Sequence, residues 1–176
     1  MTLHELLALF ASKNIEYTTA HLDAVDQNAQ LTDVASDSRE VTPGSLFVCK
    51  GAHFSPAYLA SAVEAGAVAY LCQESLAKEL QAVAPNVAAV CVDDVRLAMA
   101  YAAAGVAGHP DKKLTTVGIT GTKGKSTCSY MLRAILDGDE PYSKCGVIGG
   151  IEVFDGKDTQ PAHNTTPEAP ELWRHR

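Results

Sequence analysis

The sequence has 176 residues, of which 47% are hydrophobic and 20% are charged, and its formal net charge at pH 7 is -7. This length can hold one domain, or one domain and part of a second, and the composition excludes an intrinsically disordered chain. The acidic balance argues against a nucleic-acid-binding surface, which normally presents a basic face. No basic region precedes an apolar run at the N-terminus, and no apolar run is long enough to span a bilayer. The sequence therefore predicts a cytoplasmic protein with no membrane or nucleic-acid partner.

The five cysteines are dispersed, and no two of them form a Cys-x-x-Cys pair. An odd, scattered set on apolar stretches predicts reduced and mostly buried thiols. Three histidines, His53, His109 and His163, have no partners at the spacing of a metal site, so we expect each to be solvated or to make ordinary hydrogen bonds.

Helical and strand patterns alternate through the first 108 residues. Thr2 and Glu5 fit a capping box, and the apolar stripe that follows predicts a helix that stops near Asn14. The stretch 15–30 is weakly periodic and supports no assignment. Continuous apolar runs and turn residues predict further strands over 31–35, 46–49, 67–72 and 87–92. Helical periodicity predicts further helices over 56–65, 74–83 and 95–107. The inner face of the helix over 56–65 is predicted to consist of Tyr58, Leu59, Ala62 and Val63.

This alternation predicts an α/β fold with a largely parallel sheet. The polar stretch 109–113 contains a helix-breaking proline and is the best linker candidate, so we expect a small α/β domain over 1–108 and the start of a second domain over 114–176. The second region should hold a strand over 116–119, a helix over 127–136, a strand near 145–148 and a hairpin at Asp155-Gly156. A nucleotide-binding α/β domain needs more strands to close its sheet, so the sequence reads as a fragment or truncated product.

A small-residue loop joins the strand and the helix of this second region. Its sequence is Gly121-Thr122-Lys123-Gly124-Lys125-Ser126-Thr127. Two glycines allow successive backbone N–H groups to point at one anion, and the following helix adds unpaired N–H groups and a partial positive charge. Lys125 would reach the β- and γ-phosphates of a nucleotide, and the Ser126 hydroxyl would bind magnesium. The common P-loop spacing would place a glycine at Ile119, so this is a compact form; the alternative is a glycine-rich turn with two surface lysines.

The loop resembles the ATP loop of the Mur ligases, which add amino acids to the peptidoglycan precursor, and of the related folylpolyglutamate synthetases. Three further stretches resemble the branch of UDP-N-acetylmuramoyl-tripeptide synthetases. They are Asp37-Ser38-Arg39 with the following Pro43-Gly44 and 46–48, the segment from Lys50 to Ala67, and Asn164-Thr165-Thr166-Pro167. That family usually has Asp-Gly where Ser55-Pro56 stands here.

The resemblance implies an ATP- and Mg²⁺-dependent ligase acting on UDP-N-acetylmuramoyl-L-alanyl-D-glutamate and a diamino acid. ATP would phosphorylate the D-glutamyl carboxylate, and the amine of the diamino acid would attack the acyl phosphate. It implies Lys125 as the catalytic residue, Ser126 as the metal ligand and loop residues 121–127 as the ATP site. It also implies a monomer in which five residues contact the UDP-linked substrate: Ser38, Arg39, Asn164, Thr165 and Thr166.

Several of these roles have simpler alternatives. Ser38 and Arg39 offer a hydroxyl and a guanidinium to a uridine nucleotide, but Asp37 and Arg39 could equally be a solvated surface pair. Thr166 could cap a helix that begins at Pro167. For the protein as a whole, the alternatives are the ligase that adds the terminal dipeptide, a P-loop hydrolase or kinase, and a non-catalytic binding module. A chain of these 176 residues alone is expected to bind nucleotide only weakly and to form no amide.

Overall fold

The structure is a computed structural model that describes residues 1–138, 145–162 and 167–174. The chain divides into two compact units, Met1–His109 (unit 1) and Pro110–Arg176 (unit 2). Both units combine helices with a β-sheet, so the predicted α/β class is confirmed. No helix among the described residues is both long enough and apolar enough to cross a membrane.

Unit 1 is built on a five-stranded sheet in the order β1-β5-β4-β3-β2. Its strands are β1 (Tyr17–Ala20), β2 (Val34–Ala35), β3 (Leu46–Val48), β4 (Ala69–Gln73) and β5 (Ala88–Val92). Strands β2 to β5 pair in parallel, and only the edge strand β1 is antiparallel, with Tyr17 opposite Val92. The three middle strands are buried along almost their whole length, as expected for a parallel sheet covered on both faces.

Four α-helices belong to unit 1, and they are α1 (Leu3–Ser12), α2 (Pro56–Glu64), α3 (Ala77–Val83) and α4 (Val95–Val106). Helices α2 and α3 share a buried core with one face of the sheet, where the largest side chains are Phe47 and Tyr70. Helix α4 contacts β2 and β4 and packs closely against α1. At Gly105 of α4, a Cβ would lie 3.5 Å from the Leu9 side chain of α1 and would displace the end of the Met1 side chain.

The ends of these helices follow their sequence signals. The Thr2 hydroxyl accepts from the Glu5 amide at 3.1 Å while the Glu5 carboxylate accepts from the Thr2 amide at 2.8 Å, so the predicted capping box is confirmed. The Asp94 carboxylate caps α4 by accepting from the Leu97 amide at 3.0 Å. Each side chain satisfies an N–H group that has no partner within its helix.

Three details of unit 1 differ from the sequence prediction. The unassigned stretch 15–30 contains β1, a short edge strand. The strand predicted over 31–35 is reduced to β2, because the Leu31 amide bonds to Met1 and the Thr32 amide to Gly44. The prediction that Tyr58 faces inward is wrong: its side chain is 49% exposed, whereas Leu59 and Ala62 are fully buried.

The described residues of unit 2 form two α-helices and three short strands. They are α5 (Lys125–Asp137), α6 (Ala169–Arg174), β6 (Val147–Ile148), β7 (Glu152–Phe154) and β8 (Thr159–Pro161). The strands form an antiparallel sheet in sequence order, and β7 and β8 form the hairpin predicted at Asp155-Gly156. The Asp155 carboxylate accepts the amides of Lys157 and Asp158 and so stabilises the turn.

The strand predicted over 116–119 is not formed. Residues 115–120 have no regular secondary structure, and the Val117 side chain is 62% exposed. A parallel strand requires neighbouring strands for its backbone groups, and no described strand pairs with this segment. The segment has the apolar residues typical of a strand, but its sequence alone does not show whether a partner strand is present.

Candidate functional site: a phosphate loop and an anion-binding corner

The glycine-rich loop adopts a backbone that turns directly into helix α5. Gly124 has φ +79° and is the residue immediately before the helix, in the left-handed conformation. Gly121 has φ +154°, which also lies in the positive range. A Cβ at Gly124 would meet nothing within 4 Å, so the glycine is required there by its dihedral angle and not by crowding.

No side chain caps α5, and its first amides point into an open loop. Among the described residues, none of the amides of 121–127 donates to a protein carbonyl; the first such bond runs from Cys128 to the Gly124 oxygen at 2.9 Å. This helix start therefore retains its N–H donors and the positive end of the helix dipole. Such an arrangement is suited to binding a phosphate group.

Lys125 is the first residue of α5, and its side chain folds back across the loop. Its Nζ atom donates to the Gly121 carbonyl oxygen at 2.7 Å. The Lys125 ammonium thus lies over the loop, close to the backbone amides that donate to no described carbonyl. A charged donor and several neutral donors are therefore available at the same place. Ser126, the next residue, is half-buried, and its own carbonyl accepts from the Ser129 hydroxyl at 2.8 Å. Thr122 and Lys123 are exposed in the loop, and Thr127 is exposed on the first turn of α5.

Helix α5 is held in place by contacts that sequence reasoning missed. The Arg133 guanidinium lies 3.6 Å from the centre of the Phe154 ring on β7 and pairs with Asp137 at 3.3 Å. Tyr130 hydrogen-bonds to Glu152 on the same strand, and this bond raises the pKa of the phenol. The sequence holds one signal of these contacts: Arg133 and Asp137 are four residues apart, a spacing that places them side by side on a helix.

A second set of predicted residues lies in unit 1, where the parallel strands end. Ser38 and Arg39 follow β2 in a short 3₁₀ turn, Ser38–Glu40, and Lys50 comes soon after the end of β3. The carboxyl ends of parallel strands are where open α/β sheets usually bind ligands. The topology therefore places these polar side chains at the edge of the sheet best suited to a nucleotide.

Asp37 and Arg39 form a tight ion pair at this edge. The Arg39 Nε atom donates to both carboxylate oxygens of Asp37, at 2.9 and 3.1 Å, and Nη2 donates to Oδ2. The side-chain hydrogen bond and then the backbone hydrogen bond from Arg39 lower the pKa of Asp37 to about 2. The Arg39 side chain nevertheless remains 87% exposed, so one side of the guanidinium is accessible from solvent.

Three of the predicted substrate contacts, Asn164, Thr165 and Thr166, lie outside the described residues, as does His163. Within the described ranges 1–138, 145–162 and 167–174, no group of three or more His, Cys, Asp or Glu side chains is arranged to hold a metal ion.

Comparison with known proteins connects this geometry to one group of enzymes. The chain is 35% identical over 150 residues to the UDP-N-acetylmuramoyl-L-alanyl-D-glutamate–2,6-diaminopimelate ligase of Clostridioides difficile, and 36% identical over 151 residues to that of Streptomyces coelicolor. It is also 36% identical over 151 residues to the UDP-N-acetylmuramyl-tripeptide synthetase of Latilactobacillus sakei. These alignments cover 84–85% of this chain and 28–29% of each relative. The chain belongs to the Mur ligase family.

Solved structures of Mur ligases share its fold. A diaminopimelate ligase structure aligns with 99% of this chain and 32% of its own length, with a TM-score of 0.63 and 20% identity. MurF from Acinetobacter baumannii aligns with 77% of this chain and 27% of its own, with a TM-score of 0.56 and 23% identity. No family model matches the sequence. The chain spans less than a third of the length of the Mur ligases it matches.

Proposed function

We propose that this chain is the region of a UDP-N-acetylmuramyl-tripeptide synthetase that binds the UDP-linked substrate and the phosphates of ATP. The observation that carries the proposal is the open phosphate loop, in which free amides, the Lys125 ammonium and a helix N-terminus converge. The sequence relatives named above supply the identity of the ligase. The complete reaction would join a diamino acid to UDP-N-acetylmuramoyl-L-alanyl-D-glutamate in the cytoplasm.

The residues of the loop are suited to a triphosphate. In our proposal the amides of 121–127 orient the phosphate oxygens, and Lys125 leaves the Gly121 carbonyl to contact the terminal phosphate. Donors fixed before the reaction stabilise charge as it develops during phosphoryl transfer. The hydroxyl of Ser126 holds Mg²⁺, which neutralises phosphate charge when bound.

Unit 1 would hold the uridine end of the substrate. Ser38 offers a hydroxyl to the base or ribose, and Arg39 offers paired N–H donors to the diphosphate. Asn164, Thr165 and Thr166 remain proposed contacts to the muramoyl-dipeptide. The MurF likeness rests on fold alone, below 25% identity, so it gives no support to the dipeptide-adding alternative.

Calorimetric titration of the full chain with Mg-ATP, and separately with UDP-N-acetylmuramoyl-L-alanyl-D-glutamate, tests this function. We expect both to bind, and we expect Lys125→Ala to weaken Mg-ATP binding by about tenfold or more, since it removes a charge-assisted contact. Lys157→Ala, which removes an exposed lysine from the β7–β8 turn, is the matched control and should not change the affinity. Binding of Mg-ATP without the UDP-linked ligand would instead favour a P-loop hydrolase or kinase.

A further inference from the structure

The guanidinium of Arg39 is held along one edge only. Arginine has five N–H donors in a planar, rigid arrangement. In this structure the Nε donor and one Nη2 donor are directed at the carboxylate of Asp37. Of the three remaining donors, one on Nη2 and one on Nη1 are parallel and form a second fork at the end of the guanidinium, and the other Nη1 donor points away from this fork. No hydrogen bond from this fork to another described residue is found, and the side chain is 87% exposed.

Asp37 is itself fixed by the backbone. Its Oδ1 atom accepts from the Arg39 amide at 2.9 Å, which caps the 3₁₀ turn Ser38–Glu40. The same oxygen accepts from Arg39 Nε, so one carboxylate joins the backbone amide and the side chain of a single residue. The orientation of the guanidinium is therefore determined by the turn that begins where β2 ends. The low pKa of Asp37, about 2, keeps the carboxylate charged throughout the physiological pH range.

A pair this exposed contributes little to folding, because solvent screens the charges and ordering the side chains costs entropy. Its effect should instead appear when an anion binds. A free arginine loses rotamer freedom on binding a ligand, whereas an arginine already held along one edge loses less. The opposing effect is that the negative charge of Asp37 repels an approaching anion. If orientation of Arg39 dominates, removal of Asp37 weakens anion binding. If repulsion dominates, removal of Asp37 strengthens it.

We propose that Asp37 is a positioning residue that presents the second fork of Arg39 to a phosphate or diphosphate group of the nucleotide substrate. This inference rests on the proposed function of unit 1 as the uridine-nucleotide site. A fork of two parallel N–H donors matches two oxygens of one phosphate, which a lysine at this position would not reproduce. Asp37 does not touch the ligand; it acts through Arg39.

Calorimetric titration of the full chain with UDP tests the inference in a double-mutant cycle. We expect Arg39→Ala to weaken UDP binding about tenfold, and Asp37→Ala about threefold, because a bidentate charged contact is lost in the first and only its orientation in the second. The double variant should bind no more weakly than Arg39→Ala alone. Asp37→Asn retains an oxygen for the Arg39 amide and should give an intermediate loss. Uridine, which lacks the phosphates, should bind all variants equally.

The outcomes separate the two proposals. If the unsubstituted chain does not bind UDP, both the nucleotide site and the positioning role are wrong. If it binds UDP and Asp37→Ala binds as tightly or more tightly, repulsion dominates and the positioning role alone is wrong. Additive losses in the double variant would equally contradict it, because Asp37 would then act independently of Arg39. Unchanged thermal unfolding of each variant, and the Asp37→Asn result, distinguish loss of positioning from loss of the turn.

Discussion

The two units differ in how completely they bury their apolar side chains. In unit 1, Phe47 and Tyr70 are 1% and 0% exposed, between a parallel sheet and two helices. In unit 2, α5 leaves Met131 and Ile135 at 60% and 73% exposure, although Phe154 is buried where the Arg133 side chain of the helix lies over its ring. Unit 1 therefore has a core of its own, whereas the described part of unit 2 covers only one side of its principal helix.

This difference also separates two ways of building a binding site. The Asp37–Arg39 corner follows β2, an edge strand of a sheet whose middle strands are buried, so its scaffold is already packed. The phosphate loop lies between 115–120, which has no regular structure, and a helix whose start has no side-chain cap. Open amides are what make the loop suited to phosphate, and they also leave it without stabilising bonds of its own.

The largest expected difference between the two units is in the free energy of unfolding lost when an apolar side chain is truncated. Phe47→Ala in unit 1 should lower the free energy of unfolding by about 3–5 kcal/mol, because it leaves a cavity in a fully buried cluster. Ile135→Ala in α5, where the side chain is 73% exposed, should change it by less than about 0.5 kcal/mol. Urea denaturation followed by circular dichroism measures both. Equal losses would show that α5 is buried to the same extent as the unit 1 core.

The next effect depends on how tightly unit 1 is packed around Gly66. This residue has φ +104°, and a Cβ there would lie 2.9 Å from the Cα atom of Pro43. Gly66→Ala should therefore cost about 2 kcal/mol more than Gly108→Ala, which shares a positive φ but has nothing within 4 Å. Urea denaturation of both variants gives this difference directly. Indistinguishable variants would mean that the Pro43 turn moves aside at no cost.

A smaller effect separates the capped helix α4 from the uncapped α5. Asp94→Ala should cost about 1 kcal/mol, because the Leu97 amide loses its acceptor. Asp93→Ala, one residue earlier and also exposed, is the control and should cost less than about 0.5 kcal/mol. Thermal unfolding monitored by calorimetry compares them. If Asp93→Ala cost as much as Asp94→Ala, the cap would not be the source of the effect.

The smallest effect concerns two exposed carboxylates whose pKa values are lowered by different donors. Hydrogen bonds from Arg39 lower the pKa of Asp37 to about 2, whereas the backbone amides of Asp158 and Lys157 lower that of Asp155. A lowered pKa in the folded state stabilises the protein above the unfolded-state value near 3.8, and this contribution is lost as the pH falls toward 2. Because Asp37 is exposed, the change in stability should be slight.

NMR titration of the carboxyl carbons resolves this effect better than unfolding does. Arg39→Ala should return the pKa of Asp37 toward 3.8 and leave that of Asp155 unchanged. Arg96→Ala, which removes an exposed arginine elsewhere in unit 1, should change neither. An unchanged pKa of Asp37 in Arg39→Ala would mean that the ion pair does not persist in solution.

Local signals in the sequence predicted the parts of the fold that local interactions determine. The Thr2–Glu5 capping box and the buried strands β3 to β5 follow from hydrogen-bonding geometry and continuous apolar character. Strand β1 was not assigned, because it has only four residues and they do not alternate between buried and exposed positions. Its pairing with β5 depends on contacts distant in sequence.

For the phosphate loop, as for the fold, the sequence predicted local geometry but not contacts between distant segments. The loop sequence predicted glycines with unusual dihedral angles before a helix, and the structure has both. The sequence also predicted a strand over 116–119 that is not formed. Whether a strand forms there depends on neighbouring strands and not on the segment itself. The Arg133–Phe154 contact was equally beyond sequence reasoning, because nothing local brings β7 beneath α5.

Hydrogen exchange of the amides of 121–127, measured with and without Mg-ATP, tests most directly whether this loop is an open phosphate site. We predict fast exchange in the free chain, because these amides have no acceptor among the residues that the structure describes, and strong protection when nucleotide is added. Lys125→Ala should lose most of that protection at the same nucleotide concentration. Slow exchange before nucleotide is added, or fast exchange in its presence at saturating concentration, would contradict the account.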